Sequence, residues 1–180
     1  MKRRVDRVSA DNTTFISLFK VVGLRNFVWK NYGFYLALIT TILFQWIIND
    51  YDNQKIDNIA KYFGDPIASI SATLLGIIIA GFAIILAVAN GKILNLLLAE
   101  STLQKLLYPF WFISFFWALS TFVAVLIAFL PNVVSYSILK HVLCAEVFIF
   151  TYSLCGTVIL IGNTVVLTLH LAELEPPNNS

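Results

Sequence analysis

Four long apolar runs dominate the sequence, at about residues 32–48, 66–89, 110–130 and 142–171. A lipid bilayer has a hydrocarbon core of about 30 Å, which about 20 apolar residues cross as an α-helix. In hydrocarbon every backbone N–H and C=O must be paired within the protein, and a helix does this by itself. The alternating pattern of a membrane β-barrel is absent. The chain is therefore predicted to be an all-α membrane protein, a bundle of four transmembrane helices.

The low share of charged residues agrees with a membrane protein. Of 180 residues, 12% are charged and 59% are hydrophobic, and the mean hydropathy is +0.83. A soluble domain has roughly 25% charged residues. The segments outside the apolar runs are also too short to bury the core of a separate catalytic domain. We therefore expect no enzyme activity, and the composition places the functional residues in or beside the helices.

The distribution of lysine and arginine predicts the orientation. Nine of these residues lie before the first run or between the second and third runs, and three lie in the other two connections. Because Lys and Arg favour cytoplasmic loops, both termini are predicted to be cytoplasmic. The predicted divisions are a cytoplasmic basic segment over 1–31, a transmembrane domain over 32–171, and a polar cytoplasmic tail over 172–180.

The basic segment is predicted to contain an amphipathic helix over residues 13–30. Phe15, Leu18 and Phe19 share one face, and most basic side chains lie elsewhere. Such a helix lies in the membrane interface. It can anchor the chain on anionic lipid, or it can bind a partner. The candidate residues for lipid or partner docking in this segment and in the inner connection are Lys20, Arg25, Lys30, Leu96, Leu103 and Lys105.

The inner connection, before the third run, is predicted to hold a short helix that begins at Ser101. Ser101 and Gln104 resemble a helix-capping pair. Pro109 disfavours the helical conformation at the residue before it, so the helix is expected to end at Tyr108.

The second apolar run has one face of small residues. Ala72, Gly76, Ala80 and Ala83 recur at helical spacing. Helices in lipid associate through close backbone approach at such small residues. The third and fourth runs also carry small residues, more than one four-helix monomer needs. The pattern predicts a homo-oligomer, for which a tetramer is one expected size.

The fourth run has a polar strip on one face. At 100° per residue, its members fall within a narrow arc: Glu146, Ser153, Thr157, Thr164 and Thr168. Hydroxyl groups can bond across a helix contact. Glu146 residues from several subunits could instead form the acidic ring of a cation pore. Glu146 could also reach the interface and pair with Lys140. The strip is thus either a packing seam or a pore lining.

No sequence pattern indicates a metal site or a cofactor. Cys144 and Cys155 are eleven residues apart in one apolar run, which is not a metal or redox spacing, and we expect both to be small hydrophobic residues. A nucleophile with a nearby base and a glycine-rich phosphate loop are also absent.

The order of these elements resembles the small four-span membrane proteins of bacterial antiphage defence. The resemblance rests on the basic start, the acidic loop that ends GDPIAS, the segment SATLLGIIIAGFAIILAVANGKILNLL and the aromatic third run. It is nearest to the membrane subunit of the Kiwa system and looser to the membrane protein of the Rex phage-exclusion pair. It implies the bacterial inner membrane and an oligomeric sensor with a cytosolic nucleic-acid-binding partner, or a depolarising channel.

Two functions are therefore expected as alternatives. The first is an oligomeric scaffold or sensor that recruits a cytosolic effector and does not itself bind nucleic acid. The second is a small ion-conducting pore. The polar strip distinguishes them, because it would be a seam in the first and a lining in the second.

Overall fold

The computed structural model describes residues 32–88, 102–131 and 133–174, which form four α-helices. These are α1 (Tyr32–Asn49), α2 (Asn53–Val88), α3 (Thr102–Phe129) and α4 (Tyr136–Leu174). Each helix is long and apolar enough to cross a membrane. Within the described residues, the predictions of an all-helical fold and of four candidate spans are confirmed. The predicted amphipathic helix over 13–30 lies outside the described residues.

The helices pack in an order that differs from their order in the sequence. α3 packs against both α2 and α4, while α1 packs mainly against α4. The α1–α2 and α3–α4 connections lie at the same end of the bundle, where Lys140 Nζ donates to the carbonyl of Asn49 at 3.3 Å. We call this end the connection end. The Tyr136 hydroxyl donates to Asp57 there, at 3.5 Å.

Two apolar clusters form the core. The aliphatic cluster, nearer the connection end, joins α2, α3 and α4; its buried members are Ile56, Ala60, Ile127, Leu139 and Leu143. The aromatic cluster fills the rest of the bundle; its buried members are Ala37, Ile78, Tyr108, Phe110, Phe112, Ile113, Trp117, Tyr152 and Leu160. Both clusters contain residues of α2, α3 and α4, at different positions along these helices. A layer of the bundle lies between the two clusters.

The helix that holds the predicted second span begins before residue 66, because α2 begins at Asn53 and contains Pro66. The acidic segment before Pro66 is helical because one of its faces is apolar. Ile56 and Ala60 on that face are fully buried, and Lys55 and Lys61 are exposed. At 1.5 Å per residue, the 36 residues of α2 span about 54 Å, well beyond the hydrocarbon core.

The predicted helix end at Tyr108 was also wrong. α3 runs without interruption from Thr102 to Phe129 and contains Pro109. Proline is tolerated in membrane helices where neighbouring helices support the freed backbone groups. Tyr108 and Phe110 are both buried in the aromatic cluster, so packing holds the helix on each side of Pro109. α4 likewise begins before the predicted residue 142, at Tyr136, and ends at Leu174.

At Gly64, the backbone of α2 lies close to the backbone of α3. A Cβ atom built there would lie 3.1 Å from the amide nitrogen of Ala128 and 3.2 Å from the carbonyl oxygen of Ala124. Both are backbone atoms of α3, which cannot rotate away as a side chain can. Gly64 therefore sets the spacing of α2 and α3 near the connection end.

Candidate functional site: a polar layer inside the bundle

Three polar side chains from three helices meet in the layer between the two apolar clusters. The Ser71 and Ser120 hydroxyl oxygens are 2.9 Å apart, and the Ser120 hydroxyl donates to Glu146 Oε1 at 2.5 Å. Ser71 belongs to α2, Ser120 to α3 and Glu146 to α4. The two serines are fully buried and Glu146 is 1% exposed. We call Ser71, Ser120 and Glu146 the polar layer.

The hydrogen bonds of the polar layer form a chain with a direction. A serine hydroxyl has one proton and can both donate and accept. With Glu146 ionised, the Ser120 proton is directed to the carboxylate, and Ser71 then donates to Ser120. The second carboxyl oxygen, Glu146 Oε2, is buried and has no hydrogen-bond partner among the described residues. Glu146 Oε2 can therefore accept a further hydrogen bond or bind a cation.

The two apolar clusters cover the polar layer along the helix axes. On α4, Leu139 and Leu143 of the aliphatic cluster precede Glu146, and Tyr152 of the aromatic cluster follows it. On α3, Trp117 and Ile127 lie on either side of Ser120. The polar layer is thus enclosed by apolar side chains in both directions.

Only some members of the predicted polar strip of α4 form hydrogen bonds to another helix. Thr157 accepts a hydrogen bond from Trp117 Nε1 at 2.8 Å, so it joins α4 to α3, as Glu146 does. The hydroxyls of Ser153 and Thr164 donate to the carbonyls of Ile149 and Leu160 in their own helix. The side chain of Thr168 lies outside the described residues. Lys140 bonds to Asn49 and not to Glu146.

The predicted small face of α2 points away from the core. Ala72, Gly76, Ala80 and Ala83 are all exposed. A Cβ atom at Gly76 would have no other atom within 4 Å. Ser71 and Ile78, on the other side of the helix, are buried. The small face is therefore not used for packing within the described bundle.

The predicted docking residues are not brought together by the described structure. Lys20, Arg25, Lys30 and Leu96 lie outside the described residues, and the side chains of Leu103 and Lys105 on α3 are likewise not described. Their role stays a prediction.

A polar pocket at the connection end was not predicted from the sequence. It has a volume of about 360 Å³ between α1, the start of α2 and α4. Lys140 and Gln45 line it, with His141 and Cys144 on the part of α4 that faces away from Glu146. No group of three His, Cys, Asp or Glu side chains within residues 32–88, 102–131 and 133–174 could hold a metal ion.

Sequence reasoning found Glu146 but missed its two serine partners. Ser71 lies seven residues from both Gly64 and Ile78, and all three residues are on the buried face of α2. That heptad spacing was the available signal for Ser71. For Ser120, which follows Trp117 by three residues in a highly apolar helix, the sequence offers no comparable signal.

Comparisons with known proteins add no relative. No protein-family model, no curated protein and no solved structure matches this chain.

Proposed function

We propose that this chain is the homo-oligomeric scaffold or sensor subunit of a bacterial antiphage defence complex. In this proposal both termini are in the cytoplasm, the chain resides in the inner membrane, and its cytoplasmic side recruits a soluble effector. The nine-to-three distribution of Lys and Arg supports the orientation. The order of elements, which resembles the membrane proteins of such systems, supports the defence role.

One observation carries the scaffold proposal: the small face of α2 is on the outside of the bundle. Small residues allow membrane helices to pack closely. Ala72, Gly76 and Ala80 are nevertheless exposed in the single chain. Within the monomer, such contacts use other residues, such as Gly64. The face is suited to contact with a second copy of the chain.

A substitution at Gly76 tests self-association without disturbing the monomer. Gly76→Leu places a large side chain on the small face, where no atom lies within 4 Å of the Cβ position. We expect the wild type to be an oligomer by native mass spectrometry in mild detergent, and Gly76→Leu to be a monomer that keeps its helix content.

Gly162→Leu is the matched control. Gly162 is also open, with nothing within 4 Å of its Cβ position, but it belongs to α4. The control should keep the wild-type oligomer. A monomeric wild type would contradict the scaffold proposal.

The effector is expected to bind the cytoplasmic side, because the predicted docking residues lie in segments predicted to be cytoplasmic. Affinity purification from the native host, with the products of neighbouring genes co-expressed, should recover a soluble protein with this chain. Recovery of the chain alone would favour the pore.

The alternative proposal, an ion-conducting pore, has weaker support. Its acidic ring needs Glu146 side chains that face a path between subunits. Glu146 is 1% exposed in the single chain and accepts a hydrogen bond from Ser120. The packing of α2 and α3 around Glu146 therefore favours a seam over a lining.

A further inference from the structure

We propose that the polar layer of Ser71, Ser120 and Glu146 is an occluded proton-binding site, in which solvent protons bind the carboxylate of Glu146. This inference is independent of the scaffold proposal. It concerns what the site binds, and it would hold for a monomer as well as for an oligomer. In the binding step one O–H bond forms on the carboxylate, and no other covalent bond changes.

The first argument is the pairing of the carboxyl oxygens. Oε1 accepts one hydrogen bond from Ser120, and Oε2 is buried without a hydrogen-bond partner in the described part of the chain. A buried carboxylate is stable only when it is paired or neutralised. One hydrogen bond from a neutral hydroxyl offsets only a small part of the free-energy cost of burying a charged carboxylate between two apolar clusters. A bound cation would neutralise the charge and remove most of that cost.

The second argument is the number of oxygen atoms, which favours a proton over a metal ion. Hard metal cations such as Ca²⁺ and Mg²⁺ take about six or more oxygen ligands. The polar layer offers one carboxylate and two hydroxyls, and the hydroxyls already bond to each other at 2.9 Å. A proton needs only one carboxylate oxygen, so the layer can accommodate it without breaking the contact between α2 and α3.

The third argument is that the hydroxyl chain can serve both protonation states. With Glu146 ionised, Ser71 donates to Ser120 and Ser120 donates to Oε1. With a proton on Oε1, Glu146 donates to Ser120 and Ser120 donates to Ser71. Ser71 can then donate to a carbonyl of its own helix, as serine often does in membrane helices. Because each hydroxyl both donates and accepts, the reversal needs only rotation of hydrogens.

Other ionisable groups are kept away from Glu146 on each neighbouring helix. α1 has no charged residue, and α3 has none after Lys105. On α2, Asp65 is the charged residue nearest to Ser71 in the sequence, and it is exposed. On α4, Lys140, His141 and Cys144 line the connection-end pocket, and Tyr152 packs against Phe112, Phe116 and Phe148. The protonation of Glu146 is therefore governed by the polar layer itself.

Infrared difference spectroscopy of the purified full-length protein tests this site. The spectra are recorded across a pH titration with the glutamates labelled with ¹³C at the side-chain carboxyl. We expect a carbonyl band of a protonated carboxylic acid that carries the isotope shift and appears as the pH is lowered. Glu146→Gln should remove this band, and Glu100→Gln should leave it. Ser120→Ala should keep the band but shift its frequency, because the carboxyl loses its hydrogen-bond partner.

Three results would overturn the proposal. The first is the absence of a band that depends on Glu146 at every pH at which the protein stays folded. The second is a band that persists unchanged in Glu146→Gln. The third is replacement of the band by a carboxylate signal when sodium replaces choline in the buffer, because this would identify a metal cation as the ligand. If Glu146→Gln does not fold, the frequency shift in Ser120→Ala and the band's position in Glu146→Asp give the same assignment.

Discussion

Glu146 connects three helices through one hydrogen-bonded chain, although its own second oxygen is unpartnered among the described residues. Such a residue can be found from sequence alone, because a carboxylate in an apolar run is unusual. Its partners cannot, because serine is also the ordinary small residue of helix contacts. The buried carboxylate was thus predictable, and the hydrogen-bond network that holds it depended on which faces of α2 and α3 point inward.

At the residue scale, the two serines should contribute unequally to stability. Ser120→Ala removes the donor to Glu146 and leaves both carboxyl oxygens without a described partner. Leaving a buried polar group unpaired costs about 1–3 kcal/mol, so Ser120→Ala should lower the free energy of unfolding by about that amount. Ser71→Ala should cost less, because Ser120 can still donate to Glu146.

Unfolding in mixed micelles with increasing denaturing detergent measures this difference. Thr73→Ala is the control, because Thr73 is exposed and its hydroxyl bonds only to its own helix, at the carbonyl of Ser69. At a pH at which Glu146 is ionised, equal losses for Ser71→Ala and Ser120→Ala would contradict the larger role given to Ser120.

At the scale of elements, the apolar periodicity was a better guide than the prolines. The segment before Pro66 is helical because Ile56, Ala60 and Gly64 recur at four-residue spacing on one buried face. Its acidic and basic residues favoured a loop, and Pro66 favoured a helix start. The helix end predicted from Pro109 was wrong for a similar reason, because Tyr108 and Phe110 pack in the same cluster on both sides of it. Local propensity was overridden by tertiary contacts at both prolines.

The contact between α2 and α3 should be sensitive to one added methyl group. Gly64→Ala would place its Cβ 3.1–3.2 Å from backbone atoms of Ala124 and Ala128. We expect a loss of about 1–3 kcal/mol in the free energy of unfolding, as for other overpacked sites.

Gly81→Ala is the matched substitution on the same helix. Its Cβ position has no atom within 4 Å, so it should be neutral or should gain up to about 1 kcal/mol from helix propensity. The same detergent unfolding assay compares the two. A neutral Gly64→Ala would mean that α2 and α3 are not as close as described here.

At the scale of the whole molecule, the bundle separates two kinds of helix surface. Glu146 and Ser120 turn inward, while the small face of α2 turns outward. The number of spans followed from hydropathy alone. The inward and outward faces could not be assigned from the sequence, because α3 is apolar all round and α1 packs against α4 and not mainly against its neighbour in sequence.

The central claim is that the outward small face of α2 joins copies of this chain, and cysteine cross-linking in native membranes tests it most directly. In a background of Cys144→Ala and Cys155→Ala, a single cysteine is introduced by Ala80→Cys or, as the control on α4, by Gly162→Cys. Both positions are exposed. A disulfide needs Cα atoms within about 7 Å, which facing copies of α2 reach only at small residues.

We predict that mild oxidation gives a disulfide-linked dimer for Ala80→Cys and none for Gly162→Cys. A dimer for Gly162→Cys alone, or only monomers for Ala80→Cys, would contradict the claim.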